Sequence, residues 1–284
     1  MKYKLDILYI VNVILLIICI ITGCNSSTDD NKSIPNIHIE ETITLIDDTC
    51  SPYCDFSIDY NYLNEKNDSI AKLINRTIQH ELLGYQYTSL SPEIALDSFK
   101  NEYIRNYRKE INNLYQTEKD KKSSIYEIPN WYNRTYSLVT FIEEGYKGII
   151  NISANFFVDM GGAHPNQWGK WMNFDYTSGK QLKKEDVFPI SRQEDIEQIL
   201  FDHLMLMLSN LYPDENLKTL EDLQQKGFLQ STNMYIPDNF LLSKEAVLFL
   251  FNRYDIAPYS AGEIIIKVPY EKIGSYFKEL NLWN

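Results

Sequence analysis

At 284 residues, 44% of them hydrophobic, the chain can bury a substantial core as one large domain or two small ones. Its 39 acidic side chains outnumber 27 basic ones, for a formal net charge of −12. Such a surface repels phosphate backbones and anionic headgroups, which argues against nucleic-acid binding; the acidity either favours a cationic partner or simply aids solubility.

In chain order, Lys2 and Lys4 precede Ile7–Ile21, a run that is apolar apart from Asn12. It is short for a membrane span and has the length and flanks of a secretory signal. The run ends in Ile21-Thr22-Gly23-Cys24, which resembles a bacterial lipobox. That resemblance implies cleavage after residue 23 and lipid attachment at Cys24, the alternative being an uncleaved N-terminal anchor. Cleavage removes Lys2, Lys4 and Asp6 from the 27 basic and 39 acidic residues, leaving 25 and 38, net −13. Residues 24–36 are then a polar tether. Its Asp29-Asp30 pair resembles the acidic signal of surface-exposed Bacteroidetes lipoproteins. The expected location is extracytoplasmic, lipid-anchored to a bacterial membrane, with the outer membrane favoured and either its periplasmic or its exposed face open.

Alternation begins at Ile37, Ile39, Ile43 and Leu45 and becomes regular at Cys54, Phe56, Ile58, Tyr60 and Tyr62, predicting strands with one buried face. Cys50 and Cys54 flank the turn-like Ser51-Pro52-Tyr53 and form a candidate disulfide in an oxidising compartment. Asp68 caps a predicted helix carrying Ile70, Leu73, Ile74, Ile78 and Leu82, closed by Gly84. Ser91-Pro92-Glu93 starts a second, whose stripe of Leu96, Phe99, Tyr103, Tyr107, Ile111 and Leu114 reads as one long buried face.

Strands are expected at Tyr132–Ile142 and Tyr146–Val158, joined by Glu143-Glu144-Gly145. A Gly161-Gly162 loop displaying His164 leads into another at Trp168–Tyr176. Ser191–Glu194 reads as a capping box before the amphipathic run from Ile196 to Leu211, and a short helix is expected at Leu217–Gln225. Strands are predicted at Met234–Ile236, Phe240–Leu242, Val247–Phe251 and Ile264–Val268, and a helix at Glu271–Leu280. The order implies an α+β fold of mainly antiparallel sheets with packed helices.

Three pieces in sequence, GGAHP at Gly161–Pro165, NFDYTSGKQL at Asn173–Leu182 and LLSKEAVLFLFNRYDIAPYSAGEIIIKVPYEKI at Leu241–Ile273, resemble the RsiV/PdaC-like extracytoplasmic domain family. That family includes the ectodomain of a lysozyme-sensing anti-sigma factor and the non-catalytic module of a peptidoglycan deacetylase. The resemblance implies a two-part α+β fold, with subdomains 37–142 and 143–284, that recognises a lysozyme-like cationic protein or peptidoglycan. Few residues precede the apolar run, so no sigma-binding segment is expected; the chain ends soon after Tyr270, so no deacetylase domain is expected either.

The candidate binding residues are Gly161, Gly162, His164, Trp168, Trp171, Tyr254, Asp255 and Tyr259. Trp168 and Trp171 either stack on sugar or anchor a protein interface, or else cover the core. An enzyme would use His164 as a base with Asp159 or Asp175, or Asp159 and Asp175 as a glycosidase pair. The bland reading of His164 is a turn residue bonded to backbone or a carboxylate. No G-x-S-x-G, H-E-x-x-H, phosphate loop or ligand-spaced His/Cys set is present, so no metal and no cofactor are expected. The expectation is a non-catalytic recognition lipoprotein; the alternatives are a peptidoglycan hydrolase using His164 and a structural lipoprotein that binds another envelope protein.

Overall fold

Large apolar residues at every second position of Tyr53–Leu63 turn one face of that strand, β2, wholly inward: Cys54, Phe56, Ile58, Tyr60 and Tyr62 are all at most 2% exposed. Around it the computed structural model, which describes residues 34–46, 52–121, 130–231 and 233–277, forms a six-stranded sheet in the order β1 to β6. The strands are β1 (Asn36–Ile46), β2, β3 (Arg134–Glu144), β4 (Ile149–Asp159), β5 (Asn166–Asp175) and β6 (Gln181–Leu182). Pairing is antiparallel throughout except between β2 and β3, which run parallel. A parallel pair needs a long crossover, and the helices between residues 63 and 134 supply it. The expected signal peptide, Cys24, most of the tether and Cys50 lie outside the described residues, whereas Cys54 is a buried free thiol in β2. The contacts that make the fold fall within Ile34–Asn284.

Helix α1 (Ser69–Leu82) starts where expected, because Asp68 Oδ1 accepts the Ile70 and Ala71 amides, both at 2.9 Å. Helix α2 (Pro92–Tyr107) continues through a π turn, Arg108–Asn112, into α3 (Asn113–Lys121). The π turn adds a residue to the register, which corrects the single stripe expected here: Ile111 stays buried, but Leu114 is 49% exposed and Tyr115 takes the inward position at 2%. Beneath the sheet, α1 and α2 cover Phe56, Tyr60, Tyr62, Leu138, Ile152 and Phe174.

After β6 come α4 (Lys184–Val187), α5 (Gln193–Leu211) and α6 (Leu220–Gln225), then a three-stranded antiparallel sheet and α7 (Tyr270–Phe277). That second sheet is β7 (Phe240–Leu242), β8 (Ala246–Phe251) and β9 (Ile264–Pro269). Its one face packs on α5 through Val247, Phe249, Ile266 and Val268 against Ile196, Leu200 and Leu204; from the other, Leu241 and Leu250 meet Trp171 of β5. Two expectations are corrected. Ser191 sits in a 3₁₀ turn and does not cap α5, which starts after Arg192 with no side-chain cap. Met234–Ile236 is not a strand; Met234 and Ile236 are buried in irregular chain, and Pro237 beside them has no amide to offer a ladder.

The two sheets are stitched by asparagines acting as surrogate backbone. Asn173 donates to Phe240 O and accepts from Leu242 N, both at 2.8 Å, and Asn151 donates to Leu242 O at 3.1 Å. Asn239 Oδ1 accepts the Trp171 amide at 2.9 Å, and Asn252 both accepts from Gly169 N at 2.7 Å and donates to Gly169 O at 3.1 Å. Glycines permit this approach: a Cβ on Gly145 would collide with Leu242 O, and one on Gly169 would lie 2.5 Å from Leu250 Cδ2. The expected subdomain boundary at 142/143 falls within the β3–β4 hairpin, so the first sheet continues across it.

Candidate functional site

The loop after β4 is built by its own residues. Asp159 Oδ1 accepts the Gly161 amide at 2.8 Å, and Gly161 takes φ +70°, a left-handed conformation that glycine adopts without cost. Gly162 and His164 are exposed at the tip. Opposite them, the chain leaving β8 places Tyr254 and Tyr259 against the same loop. The His164 ring stacks on Tyr259 with centroids 3.9 Å apart, and Tyr259 Oη donates to Pro165 O at 2.8 Å. His164 Nδ1 lies 3.2 Å from Pro165 O and Nε2 lies 3.3 Å from Tyr254 Oη. Both ring nitrogens therefore face neutral oxygen partners, and neither faces a carboxylate.

Arg253 braces this cluster. Its guanidinium lies 4.6 Å from the Tyr259 ring centroid and donates to Tyr259 O at 3.0 Å and to Gln167 Oε1 at 2.8 Å. Tyr254 stays 60% exposed although its backbone sits at φ +71°, a region disfavoured for a residue with a Cβ. Asp255 turns back on its own loop, accepting Asn252 N at 2.7 Å; loss of solvation raises its carboxyl, and that amide opposes the rise.

Of the residues singled out in the sequence, the fold thus brings together Gly161, Gly162, His164, Tyr254 and Tyr259, with Asp255 in the adjoining turn. Asp159 stays at the base of the same loop, bonded to the Gly161 amide, while Asp175, Trp168 and Trp171 lie away from the tip. Asp159 ends β4, whereas Asp175 pairs with Ile149 at the start of β4, so the two acids lie about 30 Å apart at a rise of ~3.4 Å per residue. A glycosidase pair needs about 5–10 Å. Asp175 is a turn anchor: desolvation raises its carboxyl, but hydrogen bonds from Ser178 and Thr177 outweigh this and leave it below the ordinary range. Trp171 is buried between the sheets, and Trp168 has one ring face stacked on Phe156 at 4.6 Å. Neither belongs to the loop tip.

Sequence reasoning passed over Arg253, Gln167 and Asn252, whose partners are distant in the chain. It also passed over Arg134, whose Nη1 donates at 2.8 Å to the carbonyls of Trp131, Asn133 and Met160. That nitrogen ties the backbone at Trp131 and Met160, whose side chains are 59% and 57% exposed, beside the start of the Gly161-Gly162 loop. Among the described residues there is no group of three or more His, Cys, Asp or Glu side chains placed to hold a metal, and no helix long and apolar enough to cross a membrane.

Fold and loop face together define an α+β domain in which two sheets present a rigid cluster of aromatic side chains. Residues 178–271 match the family described as Protein of unknown function (DUF3298). The chain is similar to a crystal structure of a DUF3298 family member from Bacteroides fragilis NCTC 9343, at 25% identity and a TM-score of 0.72, over 86% of this chain and 95% of that one. A DUF3298 family protein from Pseudomonas aeruginosa PAO1 shares the fold at 17% identity and a TM-score of 0.57, over 86% of this chain and 94% of that one. No curated protein matches.

Proposed function

We propose that this chain is a non-catalytic recognition lipoprotein of the bacterial envelope, anchored through Cys24, whose loop face of His164, Tyr254, Trp131 and Met160 binds a lysozyme-like cationic protein or peptidoglycan. The observation that carries the reading is the setting of His164. Among the described residues no carboxylate bonds either ring nitrogen to activate His164 as a base; the ring instead contacts Pro165 O and Tyr254 Oη and stacks on Tyr259, as a residue bracing the loop does. A braced display of exposed Trp, Tyr and Met side chains is, by contrast, what binding hot spots are made of. The net charge of −13 after signal removal supports a cationic partner, and the family resemblance supports lysozyme or wall glycan.

The test is calorimetric titration of residues 25–284 with lysozyme, with soluble peptidoglycan fragments and with an equally basic unrelated protein, at low and physiological salt. Binding to lysozyme or to the fragments but not to the control, weakened at least tenfold by Trp131→Ala or Tyr254→Ala, is the expected result. Binding to all basic proteins alike, or to none of these ligands, would overturn the reading. Release of muropeptides by the wild-type protein, abolished by His164→Ala, would establish the hydrolase alternative instead.

A further inference from the structure

Strand β1 closes one side of the six-stranded sheet and, among the described residues, pairs only with β2. Its 11 residues include no proline and no lysine, the usual devices that keep an edge from pairing. Ile37, Ile39, Glu41, Ile43 and Leu45 point inward but are only half-buried, while His38, Glu40, Thr42 and Thr44 are exposed on the other face. A shallow notch lined by Ile39, Glu41, Phe56, Ile58, Leu96 and Lys100 runs beneath the edge, between β1 and α2.

We infer that β1 pairs antiparallel with β1 of a second copy of this chain, about a two-fold axis through Glu41, so that two six-stranded sheets join into one. The side-chain period of two requires inward residues to face inward residues, which limits the registers. Centred on Glu41, the register uses the whole strand, Asn36 against Ile46. It sets Ile37 opposite Leu45, Ile39 opposite Ile43, His38 opposite Thr44 and Glu40 opposite Thr42 of the second copy. Every apolar inward side chain meets another apolar one, and Ile43 of the second copy comes over the notch beside Ile39.

Neighbouring registers are worse. Centring on Glu40 opposes two Glu40 carboxylates and places Ile39 against Glu41; centring on Thr42 places Ile43 against Glu41 twice. In the favoured register the one like-charge contact is Glu41 with its own counterpart. Each Glu41 has Lys100 Nζ at 2.7 Å from its Oε2, a cation it shares with Asp97 at 2.8 Å, so the repulsion between the two Glu41 carboxylates is reduced though not removed. This self-complementarity of the apolar and polar pattern, read from the strand itself, selects a second copy over an unrelated peptide. The edge is a surface separate from the loop face at β4, β5 and β8, so the inference stands apart from the proposed function.

The experiment is sedimentation equilibrium of residues 25–284, which contain the whole unit beginning at Ile34, across a wide concentration range. A monomer–dimer equilibrium is expected. Substituting Thr42→Lys should tighten it and Thr42→Asp should loosen it, each by about 2- to 30-fold, because two symmetric contacts with Glu40 are gained or opposed. In a Cys50→Ser background, Glu41→Cys should oxidise to a covalent dimer, since directly opposed Cβ atoms lie about 5 Å apart. Thr44→Cys should not, because its counterpart lies six residues away along the ladder, about 20 Å. A monomer at every concentration overturns the inference, whether or not it accepts an added extended peptide at β1. So does cross-linking through Thr44→Cys as readily as through Glu41→Cys, or a shift of the same sign from Thr42→Lys and Thr42→Asp. The wild-type and Thr42 measurements carry the test if Glu41→Cys fails to fold.

Discussion

Asn173→Ala isolates what the asparagine seam contributes. Asn173 is 1% exposed and satisfies two backbone groups of β7, the Phe240 carbonyl and the Leu242 amide, each at 2.8 Å. Alanine removes both partners and leaves both groups in a site with no room for their full hydration. Each buried unsatisfied group costs about 1–3 kcal/mol, so the loss is about 2–6 kcal/mol. That is a large share of the roughly 5–15 kcal/mol that holds a typical domain together. At about 2–4 °C per kcal/mol for a domain of this size, Tm falls by roughly 5–20 °C. Thermal unfolding followed by far-UV circular dichroism measures it, with exposed Asn210→Ala as a control expected to stay within about 0.5 kcal/mol of wild type. A Tm for Asn173→Ala within about 2 °C of wild type would mean that hydrophobic contact alone aligns the sheets and that the seam is incidental.

Three further outcomes follow from single residues. Asp68→Ala removes the cap of α1 and should cost about 1 kcal/mol near neutral pH. The Ala71 amide, with the Tyr176 hydroxyl and the Ile70 amide, holds the Asp68 carboxyl below its ordinary value of 3.8 despite some desolvation, so the difference from wild type should be constant above that pH and shrink as pH falls below it; urea unfolding at several pH values checks this, and a difference that grows on acidification would contradict the assignment. Burial pushes the Cys54 thiol up to about 11, so thiol reagents should leave it unmodified at pH 8 in the native protein and label it fully in denaturant, as peptide mapping will show. Tyr254→Gly relieves a backbone strain of about 1 kcal/mol at φ +71°, offset by glycine's greater freedom when unfolded, so Tm should move by no more than about 3 °C while ligand affinity at the loop face drops; a fall of 10 °C would make Tyr254 a structural residue.

The elements that could be read in the sequence were those decided by their own residues. β2 shows its period of two because one face is sealed by helices, and α1 shows its start because Asp68 bonds amides two and three positions away. Where a feature depends on distant chain, the pattern misleads. Leu114 fits an ideal helical stripe, but the π turn rotates it out and Tyr115 in. Met234 and Ile236 alternate like a strand, yet the ladder they would join is not there and the core takes them as irregular chain. Asp159 and Asp175 look like a pair because they bracket β5 in the sequence, but that strand carries the chain along the full length of its neighbour, so the two acids lie at opposite ends of the paired strands. The asparagines of the seam carry no periodicity at all, since each answers a backbone group about 70 to 90 residues away.

The seam also explains why the loop face can be rigid while standing on two separate sheets. His164 belongs to the β4–β5 connection and Tyr254 to the β8–β9 connection, so their contact requires the sheets to hold a fixed offset. Hydrophobic contact between Trp171, Leu241 and Leu250 is non-directional and would tolerate sliding. Asn252 does not: it grips both the amide and the carbonyl of Gly169, three residues into β5, from the residue that follows β8. The closeness of that grip needs Gly169, because a side chain there would meet Leu250. Arg253, the next residue, then reaches Gln167 and Tyr259, and Tyr259 reaches Pro165. A chain of directional bonds therefore runs from the inter-sheet seam to the exposed ring of His164. The strained φ of Tyr254 persists because residues on either side of it are pinned by that chain, so the strain is a consequence of how the two sheets are locked and places an exposed aromatic side chain where flexible loop would otherwise be.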